Sequence, residues 1–196
     1  MDESKRDQSS TSPEAIVIPL KAFHNSKTRL RDELGIFGAG ALAEKLASHV
    51  LEASKPRARI VVSDNSEILD FAATAGAIAF RTAFLSLNGA ISDVYGQLGG
   101  SYKTLIIVHG DLARPEGLGV ARFSENISIY TDYTGTGTNV MVLPTGLDFR
   151  FAYGPFSAQA HEKEALRLGV KCEVFRDSAW QFDVDEPGDT RYLAGQ

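Results

Sequence analysis

The segment Lys103–Leu112, KTLIIVHGDL, constrains the fold more than any other part of the chain. Its apolar run from Leu105 to Val108 is unbroken and has β-branched residues at its centre. A strand facing water on one side would alternate polar and apolar residues. An unbroken run is the mark of a central parallel strand covered by helices on both faces. The rest of the chain repeats the theme. Ile16–Ile18 and the segment RIVVSD, Arg59–Asp64, are further short apolar runs, and each precedes a stretch with helical spacing. Leu34, Leu42, Leu46, Val50 and Leu51 mark one such helical stretch, with Gly35, Gly38 and Gly40 expected to split it in two. Glu67–Ala75 is predicted to be a helix stopped by Gly76, with Ala77–Arg81 a candidate strand after it. Ser86 or Asn88 is expected to cap a helix running through Leu98.

The second half is predicted to be richer in strands. Ile127–Tyr133, the apolar end of Thr134–Pro144, Phe149–Ser157, Val170–Phe175 and Trp180–Asp189 all have strand character, the last leading into a short helix. Ala158–Leu168 is an amphipathic helix ended by Gly169. Alternating β and α segments imply a mostly parallel, helix-flanked sheet, and the extra strands make it mixed. At 196 residues this is expected to be one domain, residues 14–196, behind a polar N-terminal tail, residues 1–13.

Composition excludes several classes. A net charge of −5 argues against nucleic acid as partner. No run approaches the roughly 20 apolar residues of a membrane span. One cysteine, Cys172, cannot close an intrachain disulfide, so a cytoplasmic setting is the expectation.

Against that acidic background, one loop is basic. Ile16–Leu30, IVIPLKAFHNSKTRL, places Lys21, Lys27 and Arg29 between a strand and a helix. Converging cations require a compensating anion, and a strand's carboxyl end beside a helix N-terminus is where α/β folds hold phosphates. A solvated basic turn fits the same spacing. Walker and dinucleotide glycines are missing. Asp111 ends the buried strand, where a carboxylate can meet a divalent metal, although a turn aspartate fits as well. Asp183 and Asp185 lie two apart, so Asp185 can join Asp111 while Asp183 makes a structural hydrogen bond. TGTGTN, Thr134–Asn139, is either a substrate loop or a tight hairpin, and Gly154 and Ser157 open a helix as an anion site or an ordinary cap. His161 is expected to be a surface or internally satisfied histidine.

In this order the motifs IPLKAFHNSKTRL, VVSD, SLNGAI, GDL, GTGTNVMVLP, FRFAYGPFSAQAH and FDVDEPGD resemble the guanylyltransferase family that acts on 2-phospho-L-lactate or phosphoenolpyruvate in coenzyme F-420 biosynthesis. The resemblance implies a nucleotide-diphospho-sugar-transferase-like, Rossmann-like α/β sandwich of three layers, with a mixed, mainly parallel sheet of about seven strands. It implies GTP and a small phosphorylated acid as substrates, Mg2+ as cofactor, and a downstream F-420 ligase as recipient of the product, in a monomer or homodimer. Carried over by motif, Lys21, Lys27 and Arg29 hold the triphosphate and leaving pyrophosphate. Asp111 and Asp185 bind metal, and Thr138, Gly154 and Ser157 hold the acid. Ser63, Asp64, Asn88 and Ala90 lie near guanine and ribose. Two departures stand out: the family's usual ADLP is GDLA here, preceded by His109, and its GPGS is GPFS, with Phe156 in place of a glycine. The same fold with a sugar or molybdenum-cofactor substrate, or a non-catalytic nucleotide-binding relative, are the competing expectations.

Overall fold

Branched apolar side chains fill both faces of the central strands, and this determines how the layers stack. The computed structural model describes residues 14–193; the predicted tail, residues 1–13, and the last three residues lie outside them. Seven strands form one sheet in the order β3-β2-β1-β4-β6-β5-β7. They are β1 (Glu14–Pro19), β2 (Ala58–Ser63), β3 (Ile78–Arg81), β4 (Thr104–Val108), β5 (Ile127–Thr131), β6 (Thr138–Pro144) and β7 (Cys172–Phe175). Four helices cover it: α1 (Arg31–Ala53), α2 (Ser66–Thr74), α3 (Leu87–Leu98) and α4 (Ser157–Arg167).

Side chains one apart along β1 enter different cores. Ala15 and Val17 pack with Ile91 and Val94 of α3 and Ala165 of α4. Ile16 and Ile18 pack with Val50 and Leu51 of α1 and Ile68 and Ala72 of α2. Residues Leu105 to Val108 divide in the same way, which is the three-layer sandwich expected from an unbroken apolar run.

β4 is central, as predicted, but its neighbours differ in direction. It runs parallel to β1 and antiparallel to β6. β6 is therefore the reversed strand, and it begins at the edge where β4 ends, with Val108 opposite Val140. That reversal brings Thr138 and Asn139 to the carboxyl edge of the parallel strands.

Two predicted strands are not strands. Phe149, Phe151 and Tyr153 alternate as a strand would, yet their segment joins no ladder. Its amides donate to side chains instead: Arg150 N to Glu164 Oε1 (2.9 Å), Ala152 N to His161 Nε2 (3.0 Å) and Tyr153 N to Asn88 Oδ1 (2.7 Å). Trp180–Asp189 likewise forms a 3-10 turn at Ala179–Gln181 and one bridge, Leu112 with Asp183, before a 3-10 helix at Pro187–Leu193. Of the three glycines in α1, only Gly35 breaks the helix, at φ 69°, ψ 170°. Among the described residues no helix is long and apolar enough to cross a membrane.

Candidate active site

The parallel strands β1, β2 and β4 end on one edge, and the loops that follow them enclose a cleft of about 440 Å3. The β1 loop contributes Lys21 and Lys27, β2 contributes Ser63 and Asp64, and β4 contributes His109, Gly110 and Asp111. The turn before α3 adds Thr82, Phe84 and Ser86, with Ala90 behind them, and Asp185 closes the far side. Leu20 packs over Gly110, where a Cβ would meet its Cδ2 at 2.3 Å and oblige that side chain to turn aside. The close approach brings the β1 and β4 loops together.

Lys27 is the centre of the charge arrangement. Its backbone is left-handed, φ 52°, ψ 43°, a conformation uncommon outside glycine and often kept at functional sites. The ammonium donates to Asp111 Oδ2 and, at 2.9 Å, to Asp185 Oδ1. Burial alone would lower the Lys27 pKa, but the two carboxylates outweigh it and hold it above its ordinary value. Burial pulls Asp111 the other way, and Lys27, with a weaker contribution from His109, holds it below the usual carboxylate range. Asp185 comes to this point because residues 182–184 run antiparallel to 111–113: Ala113 N donates to Phe182 O (2.8 Å) and Val184 N to Asp111 O (3.1 Å).

Asp183 belongs to the same cluster. It accepts a long hydrogen bond from Asn139 Nδ2 (3.4 Å), the structural role expected of it. Burial, then the nearby charges of Asp111 and Asp185, push its pKa up to about 7. Three carboxylates therefore crowd one ammonium. Asp111 Oδ1 is buried without a hydrogen-bond partner. An excess of hard oxygen donors with one left unsatisfied fits a divalent cation such as Mg2+. Among the described residues no three His, Cys, Asp or Glu side chains form a metal cage by themselves. That agrees with the habit of Mg2+, which takes one or two carboxylates and completes its shell with substrate oxygens and water.

The other site residues expected from the sequence divide. Arg29 is exposed and pairs with Glu186 Oε1 at 3.2 Å. The anion demanded by the basic loop is thus supplied in part by the protein, through Asp111, Asp185 and Glu186. Ser63, Asp64 and Ala90 line the cleft, as does Lys21. Asn88 is not on its wall; it clamps the backbone of Tyr153, donating to its carbonyl (3.1 Å) and accepting from its amide. Ser86, not Asn88, caps α3 by accepting from Gly89 N.

Thr138 and Ser157 come together, but in the interior. Ser157 Oγ donates to Thr138 Oγ1 (3.3 Å), which lies 3.2 Å from His161 Nδ1, and all three residues are buried. With Ala152 N on its Nε2, His161 has partners on both ring nitrogens, and burial pushes its pKa down to about 4. Gly154 is exposed beside them at φ 135°. The TGTGTN loop has the geometry of a hairpin. Asp132 occupies the donors of its start, accepting from Thr134 Oγ1 and Thr136 N at 2.9 Å.

Sequence reasoning gave no role to His109, Tyr153, Thr82 or Phe84. His109 lines the cleft and its ring lies 5.6 Å from that of Tyr153. A polar residue ending an apolar strand was the available signal for His109. Thr82 anchors the turn before α3 by donating to Asp93 Oδ2 (2.7 Å), and Phe84 stays about half exposed in the cleft wall.

Comparison with known proteins gives the same reading as the site. Residues 14–194 match the family model described as "Guanylyl transferase CofC like". The phosphoenolpyruvate guanylyltransferase of Sphaerobacter thermophilus is 30% identical over 91% of each chain. The 3-phospho-D-glycerate guanylyltransferase of Colwellia psychrerythraea is 28% identical over 91% of this chain and 90% of its own. Among solved structures, a nucleotidyl transferase from Methanothermobacter superposes with a TM-score of 0.65 at 14% identity, covering 94% of this chain and 99% of its own. An inositol-1-phosphate CTP transferase from T. maritima gives 0.54 at 17% identity, covering 92% and 94%. The fold is that of the nucleotide-diphospho-sugar transferases. With the family model spanning all of the described residues, the chain belongs to the CofC-like guanylyl transferases.

Proposed function

We propose that this chain transfers GMP from GTP to the phosphate of a phosphorylated three-carbon acid and releases pyrophosphate. The observation that carries the reading is the Lys27 ammonium shared between Asp111 and Asp185 on the floor of a cleft at the carboxyl ends of parallel strands. An oxygen of the acid's phosphate attacks the α-phosphorus of GTP, and the bond to the β-phosphate breaks. The incoming phosphate is the nucleophile, so no enzyme group need be acylated or phosphorylated. Positioning and charge neutralisation carry such transfers.

Lys21, Lys27 and Arg29 are the cations that face the triphosphate and the departing pyrophosphate. Ser63, Asp64 and Ala90 line the nucleoside end of the cleft. Asp111 and Asp185 would hold Mg2+, which neutralises phosphate charge when bound. With Asp111 and Asp185 engaged in holding that ion, the Lys27 ammonium they now share would be free to turn to phosphate oxygens. Thr138 and Ser157 act from behind the acid, through the backbone they fix around Gly154. We further infer one nucleotidyltransferase domain over residues 14–196, a cytoplasmic setting, and transfer of the labile product to an F-420 ligase.

The test mixes purified protein, GTP and Mg2+ with phosphoenolpyruvate, 2-phospho-L-lactate or 3-phospho-D-glycerate and follows pyrophosphate, with the acceptor ligase present to draw off product. Release that requires both GTP and one of the acids supports the reading. Absence of release with every acid sinks it. Thermal-shift preference for CTP over GTP would transfer the chain to the sugar-type nucleotidyltransferases of the same fold.

A further inference from the structure

Two side chains of the cleft wall make no hydrogen bond, ion pair or ring contact among the described residues: the Asp64 carboxylate and the Phe84 ring. Both leave the sheet at the same point. Ser63 pairs with Arg81 in the β2–β3 ladder and Thr82 N donates to Ser63 O (3.1 Å), so Asp64 and the turn carrying Phe84 start side by side. The backbone under each is fixed. Arg81 Nη1 donates to Asp64 O (3.2 Å), and Asn65 beside it is occupied in capping α2. Phe84 N donates to Thr82 Oγ1 (3.2 Å), and Phe84 Cβ rests against Gly89, where an added Cβ would come within 2.9 Å of it. The anchoring stops at the root of each side chain: Asp64 is exposed, and Phe84 is 53% exposed. A single exposed ring is ordinary at a protein surface. A rooted ring and a rooted, unpaired carboxylate in one cleft wall supply a planar face and a pair of acceptors, the two elements that recognise a heterocyclic base.

We propose that Asp64 and Phe84 are the base-selecting residues of the cleft, with Phe84 stacking on the purine and Asp64 accepting from the N1–H and 2-amino group of guanine. The inference rests on the nucleotidyl-transfer reading above, which puts this end of the cleft at the nucleoside. An ionised carboxylate only accepts hydrogen bonds. Guanine presents two adjacent donors, which match the two carboxylate oxygens as a bidentate pair. Adenine N1 and cytosine N3 are acceptors at the corresponding place, so each would set a lone pair against the carboxylate. Rejection through mismatched polar groups is far stronger than rejection by an apolar wall. Lys21 and Lys27 of the β1 loop cannot make this distinction, because every nucleoside triphosphate brings the same phosphates to them. Phe84 favours the larger face of a purine but tolerates either one, so the choice of guanine falls to Asp64.

The experiment measures binding of GTP, ITP, ATP, CTP and XTP by titration calorimetry with Mg2+ and no acid, in wild type, Asp64→Asn, Phe84→Ala and Phe84→Tyr. Wild type is expected to bind GTP about tenfold tighter than ITP, which lacks the 2-amino group, and about a hundredfold tighter than ATP or CTP. Asp64→Asn replaces one acceptor by a donor, which suits the N1–H and 2-oxo group of xanthine. That variant is expected to lose about tenfold for GTP and to prefer XTP. A merely structural role for Asp64 would weaken all five nucleotides alike. Phe84→Ala is expected to lose about tenfold for GTP, and Phe84→Tyr, which keeps a stacking ring, to recover most of it. Wild type that binds ATP or CTP as tightly as GTP overturns the proposal. So does an unchanged order of nucleotides in Asp64→Asn, or an unchanged GTP affinity in Phe84→Ala. With the expected base pattern present, failure to release pyrophosphate with any acid would overturn the transfer reading and leave the base-selecting pair standing.

Discussion

Two polar groups occupy the same edge of the sheet, one open and one closed. In the cleft, Lys27 holds Asp111 and Asp185 together, an oxygen of Asp111 is left over, and Asp183 is crowded by its neighbours. Behind it, Thr138, Ser157 and His161 satisfy one another with no net charge, and His161 has a partner on each nitrogen. The first arrangement is charged, overfull in acceptors and lines the cleft; the second is neutral, complete and sealed. A group that binds keeps unmet valence beside its cleft, whereas a group that stabilises uses its valence internally. The cleft is therefore expected to lose activity when altered, and the interior group to lose stability.

The largest effect is expected at Asp111. Asp111→Asn keeps the shape but removes the charge that faces both Lys27 and the cation, so kcat for pyrophosphate release should fall on the order of a thousandfold, equivalent to several kcal/mol of lost charge stabilisation. The melting temperature should change little by comparison. Steady-state kinetics and calorimetry on the same preparation check this. A variant that melts far lower yet keeps its turnover would reverse the assignment of Asp111.

The mirror experiment is His161→Ala. It removes the acceptor of the Ala152 amide, leaves the Thr138 hydroxyl with Ser157 alone and opens a cavity in a buried site, which should cost about 2–4 kcal/mol. At about 2–4 °C per kcal/mol for a chain of this size, the melting temperature should drop by roughly 5–15 °C. Turnover well below the new melting point should fall far less than in Asp111→Asn.

Titration separates the two groups by sign. His161 has a folded pKa of about 4, below the ordinary histidine value of 6.5. The unfolded chain therefore takes up the proton first on acidification. Its contribution is fully present above about pH 6.5 and is lost as pH falls toward 4, by about 3 kcal/mol in all. Asp183 moves oppositely: its folded pKa is raised from the ordinary 3.8 to about 7. The folded state holds that proton longer, so its contribution is present below about pH 4 and is lost as pH rises through 7. Denaturant midpoints across pH 4–8 should show Asp183→Asn more stable than wild type at the alkaline end. A flat difference between the two proteins would mean that Asp183 is not crowded by the cluster.

Much of this contrast was legible in the sequence, but unevenly. The apolar run Leu105–Val108 announced a covered central strand, because burial on both faces leaves no room for polar alternation. The parallel direction expected from it holds toward β1 only, since burial on both faces rather than direction keeps a run apolar, and β6 proved reversed. Phe149, Phe151 and Tyr153 mimicked a strand because residues two apart do share a face; only the positions of Glu164, His161 and Asn88 show that its amides bond to side chains. The cationic loop, Asp111 and Asp185 were visible as strand-end charges. Their convergence on Lys27, and the retreat of Thr138 and Ser157 into the interior, depend on contacts between residues far apart in the chain, which local pattern does not encode.

The smallest expected effect lies where the interior group meets the surface. Phe156 precedes Ser157 and caps α4 with a left-handed backbone, φ 59°, ψ 28°, and no side-chain cap hydrogen bond. The ring is about two-thirds exposed, so it gains little from burial, while its Cβ suffers the crowding that left-handed geometry imposes on any residue but glycine. Phe156→Gly relieves that crowding but returns backbone freedom to the unfolded chain. The first term is roughly 1–2 kcal/mol and the second somewhat under 1, so a net gain of about 0.5–1 kcal/mol is expected. The gain should appear as a higher denaturant midpoint with unchanged slope. A loss of stability would mean that the ring packs onto α4 in solution more closely than its exposure indicates. A gain would show that the interior group was being held against strain at its own N-terminal edge, as the cleft is held against its strained residue, Lys27.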